Sequence, residues 1–323
     1  MRRLCVAAFG AIVALSVVSS AFAQKYPTKS IKIIAPFAPG GGVDTVARLI
    51  ADPLSKALGQ PVIVENRPGA AGTIGATLAA NAPADGHTLL LGTISTHGIA
   101  PSLYASLPYD AQKDFAPITL LITQPNVLAA NPGLGARSVA DLIRLAKAKP
   151  RTIAFASSGS GTTQHLSAAM FEHLAGVQLV HVPYKGSAPA LTDLLGGQVQ
   201  LFFDNLPTAL PHIKANKLLA LAVTSSKRAP LLPNVPTMQE AGLADYEVTS
   251  WYALYAPART PPAVTERLNA EVRKILGQVP VAQRLRAQGF QPAPGTQAEL
   301  ATFMRDEIAK WARVVKQAGV TLE

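Results

Sequence analysis

Cysteine is almost absent from this chain, because Cys5 is the only one among its 323 residues. Cys5 lies in an apolar run near the amino terminus, so everything after that run lacks a thiol. The remainder cannot form an internal disulfide, bind a metal through sulfur or use a cysteine nucleophile. It must fold by burying a hydrophobic core, and chains of about 300 residues often do so as two lobes.

Long apolar runs are also scarce, and the one at the amino terminus is short. Two arginines precede an apolar stretch at 5–18, and Ala21-Phe22-Ala23 then places small residues before a cleavage point. This order is typical of a secretory signal peptide. The alternative, a transmembrane anchor, needs roughly 20 apolar residues. We therefore predict that residues 1–23 are removed on export to the periplasm.

Acidic residues are outnumbered, with 19 Asp and Glu against 29 Lys and Arg, which gives a formal charge of +10. Removing residues 1–23 takes away two arginines and no acid, and leaves +8. The basic residues are spread singly along the chain, whereas nucleic-acid-binding proteins cluster them on one face. We expect no nucleic-acid partner. The surplus charge serves solubility or, alternatively, steers anionic solutes weakly.

Motifs of the common enzyme classes are missing as well. The chain has no Gly-x-Ser-x-Gly elbow, no P-loop and no complete dinucleotide fingerprint. Its six histidines show no His-x-x-x-His pairing. A serine nucleophile at Ser160 with His165 as base is the one enzyme hypothesis left, and the sequence gives it no activating geometry. We expect no catalysis, no cofactor and no metal.

What the chain does contain is a regular alternation of short β-branched runs and longer amphipathic stretches. Residues 31–34 and 61–64 are predicted strands, and the apolar residues of 44–58 between them have helical spacing. Such alternation predicts βαβ units and a mostly parallel sheet. The pattern restarts after about residue 115. We predict an α/β protein of two lobes, each a mostly parallel sheet flanked by helices.

The order of these units predicts that the second lobe is set inside the first. Lobe one comprises residues 24–124 and 248–323, and lobe two comprises residues 125–247. The chain then crosses twice between the lobes, and two crossings make a hinge that can close around a ligand. The strands and helices near the crossings and at the carboxyl terminus are predicted at 118–123, 126–130, 251–256, 262–276 and 297–318.

Four loops rich in glycine, serine or threonine each follow a predicted strand, two in each lobe. Glycine permits positive φ, so successive N–H groups can point to one place, and the helix that follows adds unpaired N–H groups. In the first loop we expect positive φ at Gly41 and an N-cap at Asp44. Ligands of open α/β sheets lie beyond the carboxyl ends of strands. The loops therefore predict an anion site in a shared cleft or, alternatively, plain strand-to-helix connections.

The candidate ligand-binding residues come from these loops and from the end of one further strand. Lys185 offers a point charge, and Asp204 either holds an amino group of the ligand or caps the next helix. In lobe one the candidates are Phe37, Pro39, Gly40, Gly41, Gly42, Val43, Asp44, Thr93, Ser95, Thr96 and His97. In lobe two they are Ser157, Ser158, Gly159, Ser160, Gly161, Thr162, Tyr184, Lys185, Gly186 and Asp204.

The order of several motifs resembles the Bug family, the periplasmic receptors of tripartite tricarboxylate transporters. The motifs are those at 36–44, 65–72, 95–97, 182–186 and 203–205. The resemblance covers essentially all of the chain after residue 23. It implies a Venus flytrap fold in which the first loop and its counterparts in the other lobe bind a carboxylate, often through bridging water. It also implies a di- or tricarboxylate, an acidic amino acid or an aromatic acid as ligand.

The same resemblance implies that the partners are the integral membrane subunits of such a transporter. We expect the receptor itself to be a monomer. A sensor that reports to a membrane kinase would use the same cleft and the same closure, so both roles stay open at this point. Many family members have threonine where this chain has Val43. The first loop therefore offers one hydroxyl fewer.

Overall fold

The structure, a computed structural model, describes residues 26–320. The predicted signal peptide, residues 1–23, lies outside the described residues. No helix within residues 26–320 is long and apolar enough to cross a membrane.

Strands and helices alternate through the described part of the chain. The strands are β1 (Ile31–Ala35), β2 (Val62–Asn66), β3 (Thr88–Thr93), β4 (Phe115–Ala130), β5 (Ala154–Ser157), β6 (Val180–Pro183), β7 (Leu201–Asn205), β8 (Leu219–Val223), β9 (Thr249–Pro257) and β10 (Gln291–Pro292). The helices are α1 (Gly42–Leu58), α2 (Thr73–Ala80), α3 (Ala100–Leu103), α4 (Val139–Ala148), α5 (Thr163–Ala175), α6 (Ser187–Leu195), α7 (Leu206–Lys214), α8 (Pro262–Gly277), α9 (Val279–Ala287) and α10 (Gln297–Ala318). Single turns are 3₁₀-helical at Ala70–Gly72 and Pro132–Leu134 and π-helical at Ile94–Ile99.

The first sheet is centred on β1, which pairs in parallel with β2 and β3. Alternate residues of β1 face opposite sides of the sheet. Ile33 packs in the core cluster that includes Ile50 of α1, and Ile34 packs in the cluster that includes Ala76 of α2. A strand covered by helices on both faces is apolar almost throughout, which is why the run at 31–35 has little alternation.

One long strand, β4, joins the two sheets. Up to Pro125 it pairs antiparallel with β9, and from Asn126 onward it pairs antiparallel with β7 and β8. In the second sheet β5 pairs in parallel with β6 and β7. The combined order is β2-β1-β3-β9-β4-β7-β5-β6, with β8 and β10 attached to β4. Each sheet is thus parallel except for the pairs made by the joining strand β4 and by its partner β9. The lobe boundaries at 124 and 248 stay predictions.

Three elements differ from the sequence-based expectation. The strands predicted at 118–123 and 126–130 form a single strand of 16 residues, because Gln124 and Pro125 continue the pairing with β9. A further helix, α9, lies between the two predicted at the carboxyl terminus, and Pro280 in its first turn marks a new start directly after α8. The expected polar loop after β3 is a π-helical turn.

The carboxyl-terminal helix α10 ties the two halves of the core together. It packs against the π-helical turn and β4, and also against α5 of the second sheet. Trp311 of α10 and Trp251 of β9 are both buried, and their indole nitrogens donate hydrogen bonds to the same Glu307 oxygen at 3.1 and 2.7 Å. This shared acceptor fixes the position of α10 against the strands that border the cleft.

Candidate functional site

A cleft lies between the two sheets, at the carboxyl ends of their strands. Seven candidates from the sequence line it: Phe37, Gly41, Gly42, Val43, Thr93, Ser95 and Ser158. The structure thus brings together residues from three of the four predicted loops, drawn from both sheets. Whether these residues contact a ligand stays a prediction.

The first loop turns at Gly40, whose φ is +82°, and not at Gly41. The expectation of positive φ at Gly41 was wrong, because its φ of −83° and ψ of 175° are an extended conformation open to any residue. Gly41 is the N-cap of α1 and has no side chain with which to cap it. Gly42 and Val43, whose N–H groups have no partner within the helix, line the cleft.

Asp44 is the third residue of α1, so the N-cap expected there was also wrong. Its carboxylate turns back to accept the Gly40 N–H at 3.1 Å and pairs with Arg48 at 2.9 Å. Burial alone would raise the pKa of Asp44, but the bonds from Arg48 and Gly40 outweigh it and hold that pKa below its ordinary value. Asp44 fixes the turn at Gly40 and does not line the cleft.

Two helices of the second sheet begin at the opposite wall of the cleft. Helix α5 begins at Thr163 and α6 at Ser187, and neither has a side-chain cap. Together with α1, three uncapped helix N-termini meet at one cleft. Each contributes unpaired N–H groups and the positive end of a helix dipole, and both stabilise an anion.

No lysine or arginine is among the described residues that line this cleft. Lys185 is exposed on the loop before α6, and the Tyr184 hydroxyl donates to Asp193 at 2.6 Å instead of reaching the cleft. Gly186, the N-cap of α6, has a φ of +146°. The loop therefore contributes its helix N-terminus and Ser187 rather than a point charge.

Two other candidates in the first lobe turn into the core. His97 is fully buried and stacks on Tyr255 with ring centroids 4.2 Å apart, and burial lowers its pKa to about 3. The Thr96 hydroxyl accepts the Thr93 N–H at 2.9 Å and caps the π-helical turn. The π-helical turn directs both side chains away from the cleft, whereas Thr93 and Ser95 line it.

Two stacked imidazole rings hydrogen-bond to the loop after β5. His165 and His181 stack with centroids 4.0 Å apart. His181 hydrogen-bonds the Ser157 hydroxyl at 2.6 Å, and His165 accepts the Gly161 N–H at 3.1 Å. Five candidates of this loop do not line the cleft: Ser157, Gly159, Ser160, Gly161 and Thr162. Of that loop's candidates, only Ser158 lines the cleft.

Asp204 is completely buried behind the cleft wall. It accepts the Ser187 hydroxyl at 2.8 Å and the Thr208 hydroxyl at 2.5 Å. Burial raises the pKa of Asp204 to about 7 despite these two bonds. Pro39 and Gly40, by contrast, are exposed. Neither Asp204 nor these two residues line the cleft.

Sequence reasoning missed the floor of the cleft. Ser250 and Tyr252 lie two residues apart on β9 and so face the same way, and Asn205 at the end of β7 donates to the Tyr252 hydroxyl at 3.0 Å. The sequence signal for this face was the alternation of the hydroxyl-bearing Ser250 and Tyr252 with Trp251 between them. The other lining residues outside the candidate set are Ala38, Thr163, Gln164 and Ser187, all neighbours of predicted residues.

The chain matches the sequence model of the TctC family, described as tripartite tricarboxylate transporter family receptor, over residues 46–320. The chain belongs to the TctC family. It is 40% identical to the protein BugT of Bordetella pertussis (strain Tohama I) over 302 residues, which are 93% of this chain and 93% of BugT.

Two solved structures are similar to this chain in fold as well as in sequence. R. palustris Rpa4515 with adipate has a TM-score of 0.89 at 40% identity, over 92% of this chain and 99% of that one. MatC (Rpa3494) from Rhodopseudomonas palustris with bound malate has a TM-score of 0.86 at 36% identity, over 90% of this chain and all of that one. Members of the TctC family are periplasmic solute-binding receptors and not enzymes. The Bug-family resemblance, the fold class and the expectation of a non-enzyme are thereby confirmed.

Proposed function

We propose that this TctC receptor captures a small organic carboxylate in the cleft, without changing it, and delivers it to the membrane subunits of a tripartite tricarboxylate transporter. The ligand class comprises di- and tricarboxylates, acidic amino acids and aromatic acids. The receptor is exported with residues 1–23 removed. It closes as two lobes, 24–124 with 248–323 and 125–247.

The observation that carries this proposal is the meeting of three uncapped helix N-termini at one cleft. Helices α1, α5 and α6 begin at Gly42, Thr163 and Ser187, and all three residues line the cleft. Backbone N–H groups and hydroxyls bind a carboxylate with charge-assisted hydrogen bonds and need no arginine. A cationic ligand would face the positive ends of the helix dipoles, and no Asp or Glu is among the described residues that line the cleft.

Similar receptors support the same ligand class. Rpa4515 was solved with adipate and MatC with malate, and both are dicarboxylates. Both align with this chain over at least 90% of its length. We infer that the cleft of this chain takes an acid of comparable size, with one carboxylate at the helix N-termini.

A thermal-shift screen of the chain without residues 1–23 tests this proposal. The panel contains mono-, di- and tricarboxylates, with the neutral diamide of adipic acid as the matched control. A ligand that binds only the folded state stabilises it by about 2.7 kcal/mol at a hundredfold excess over Kd. We expect at least one acid to raise Tm and the diamide to leave it unchanged. A panel without any stabilising acid, or an equal shift with the diamide, contradicts the proposal.

A further inference from the structure

The buried carboxyl of Asp204 is connected to the cleft by two serine hydroxyls. The Ser187 oxygen lies 2.8 Å from Asp204 Oδ1 and 3.0 Å from the Ser158 oxygen. Ser187 and Ser158 both line the cleft, whereas Asp204 has no exposed surface. A continuous path of hydrogen-bonding oxygens thus runs from a buried acid to the place where we expect an anion.

No salt bridge within residues 26–320 involves Asp204, so no cation there balances its charge. The groups that face it are the hydroxyls of Thr208 on α7 and Ser187 on α6, the Gln164 side chain on α5 and the Asn205 N–H. The titratable group near it from another element is the phenol of Tyr252 on β9, which burial keeps neutral by raising its pKa.

The protonation state of Asp204 sets the direction of this hydroxyl chain, because each hydroxyl has one hydrogen to donate. When Asp204 is ionised, Ser187 donates to it and Ser158 donates to Ser187. Ser158 then presents only lone pairs to the cleft, and these repel an anion. When a proton from solvent forms an O–H bond at Oδ1, Asp204 donates to Ser187 and Ser187 donates to Ser158. The hydrogen of Ser158 is then free for a ligand carboxylate.

We propose that capture of a carboxylate in this cleft is coupled to uptake of one proton by Asp204, with Ser187 and Ser158 carrying the coupling. This inference rests on the proposed function, because it requires an anionic ligand. Asp204 is a positioning residue that acts on the ligand through the two serines. Burial raises its pKa to about 7, so the coupling falls in a pH range where binding is readily measured.

Isothermal titration calorimetry measures the proton uptake directly. The chain is titrated at pH 8 with adipate first, and then with the tightest-binding acid of the panel, in buffers of different ionisation enthalpy. These acids are fully ionised at pH 8, so a proton taken up comes from the buffer. We expect uptake of close to one proton per ligand at pH 8 and less at pH 6. Because one proton is linked to binding, Kd should rise up to about tenfold per pH unit above 7.

Variants assign the proton to its residue. Asp204→Asn cannot ionise, so its uptake should fall to zero and its Kd should be nearly independent of pH between 6 and 8. Ser187→Ala interrupts the chain of hydroxyls and should also lose most of the uptake, whatever its effect on affinity. Glu307→Gln changes another buried acid, one that bonds two tryptophans away from the cleft, and should keep the full uptake.

The outcomes separate this inference from the proposed function. Binding of an acid with no proton uptake in the wild type overturns the coupling and leaves the carboxylate receptor intact. Uptake that persists in Asp204→Asn assigns the proton elsewhere and also overturns it. If no acid binds at either pH, the proposed function fails and the coupling fails with it. If Asp204→Asn does not fold, the uptake measured in Ser187→Ala decides the assignment in its place, and full uptake there overturns the coupling through the serines.

Discussion

Gly186 and Ala38 lie against each other across the cleft, since a Cβ built on Gly186 would be 3.1 Å from the Cβ of Ala38. Ala38 belongs to the loop after β1, and Gly186 to the loop after β6 of the other sheet. The hydrogen bond between Asn205 and Tyr252 joins the two sheets at the floor in the same way. The halves of the molecule therefore touch at both the wall and the floor of the cleft.

Gly186→Ala should weaken ligand binding by preventing this approach. The added methyl group strains a backbone with φ of +146° and also presses on Ala38. We expect a Kd about tenfold higher, which corresponds to about 1.4 kcal/mol. Gly242→Ala is the matched control, because Gly242 also has positive φ and nothing lies within 4 Å of an added Cβ. Equal losses of affinity in the two variants would mean that backbone strain, and not the contact, is responsible.

Gly42→Ala should disturb the floor of the cleft through Tyr252. A Cβ on Gly42 would lie 2.8 Å from the phenolic oxygen of Tyr252, which must then move and loosen its bond to Asn205. We expect a loss of about 1–3 kcal/mol in the free energy of unfolding, as is typical of overpacking. In the background of Tyr252→Phe, which lacks that oxygen, the same change should cost less. Additive losses measured by urea denaturation would refute the steric explanation.

Glu307→Ala should destabilise the fold without touching the cleft. The substitution leaves two buried indole N–H groups, of Trp251 and Trp311, without an acceptor. Each such group costs about 1–3 kcal/mol, so we expect a total loss of about 2–6 kcal/mol. Glu307→Gln retains an acceptor oxygen and should lose clearly less. Urea denaturation midpoints of the two variants measure this difference. Equal midpoints would contradict the explanation.

Acid should destabilise the fold through the stacked pair of His165 and His181. Burial lowers the pKa of His165 to about 4, and burial together with His165 lowers that of His181 to about 3, against an ordinary value of 6.5. Below pH 6.5 the unfolded chain binds protons that the folded chain does not, so stability is lost as pH falls toward 4. Urea denaturation at pH 7 and pH 5 measures this loss.

A variant with both His165→Gln and His181→Gln should lose less stability between those two pH values. The exposed His173→Gln serves as the control and should behave as the wild type does. A steep acid loss that is unchanged in the double variant would assign the effect to other groups.

The location of the cleft was predictable from sequence because it depends on chain order alone. Glycine and hydroxyl residues directly follow strands, and the carboxyl ends of parallel strands meet at one edge of a sheet. The segments that follow β1, β3, β5 and β6 accordingly meet at the cleft, the last of them through Ser187. Fold class was predictable for the same reason, since alternating strands and helices leave few topologies open.

Which side chain faces the cleft was not predictable, because it depends on one-residue differences in register. Asp204 and Asn205 are neighbours on β7, and alternation sends one behind the wall and the other into the cleft. His97 turns inward because a π-helical turn, and not a loop, follows β3. Tyr252 was missed because alternation along β9 shows only that Ser250 and Tyr252 share a face. The direction of that face depends on the placement of β9 between β3 and β4, which is a tertiary feature.

The most direct test of the central claim is a crystal structure of the receptor with an acid from the screen. We predict a carboxylate in the cleft with its oxygens about 2.7–3.2 Å from the N–H groups of Gly42 and Val43. Donors of the second sheet, at Ser158, Thr163 or Ser187, should complete its coordination. A carboxylate paired with Lys185 or an arginine, or bound outside the cleft, would contradict the account.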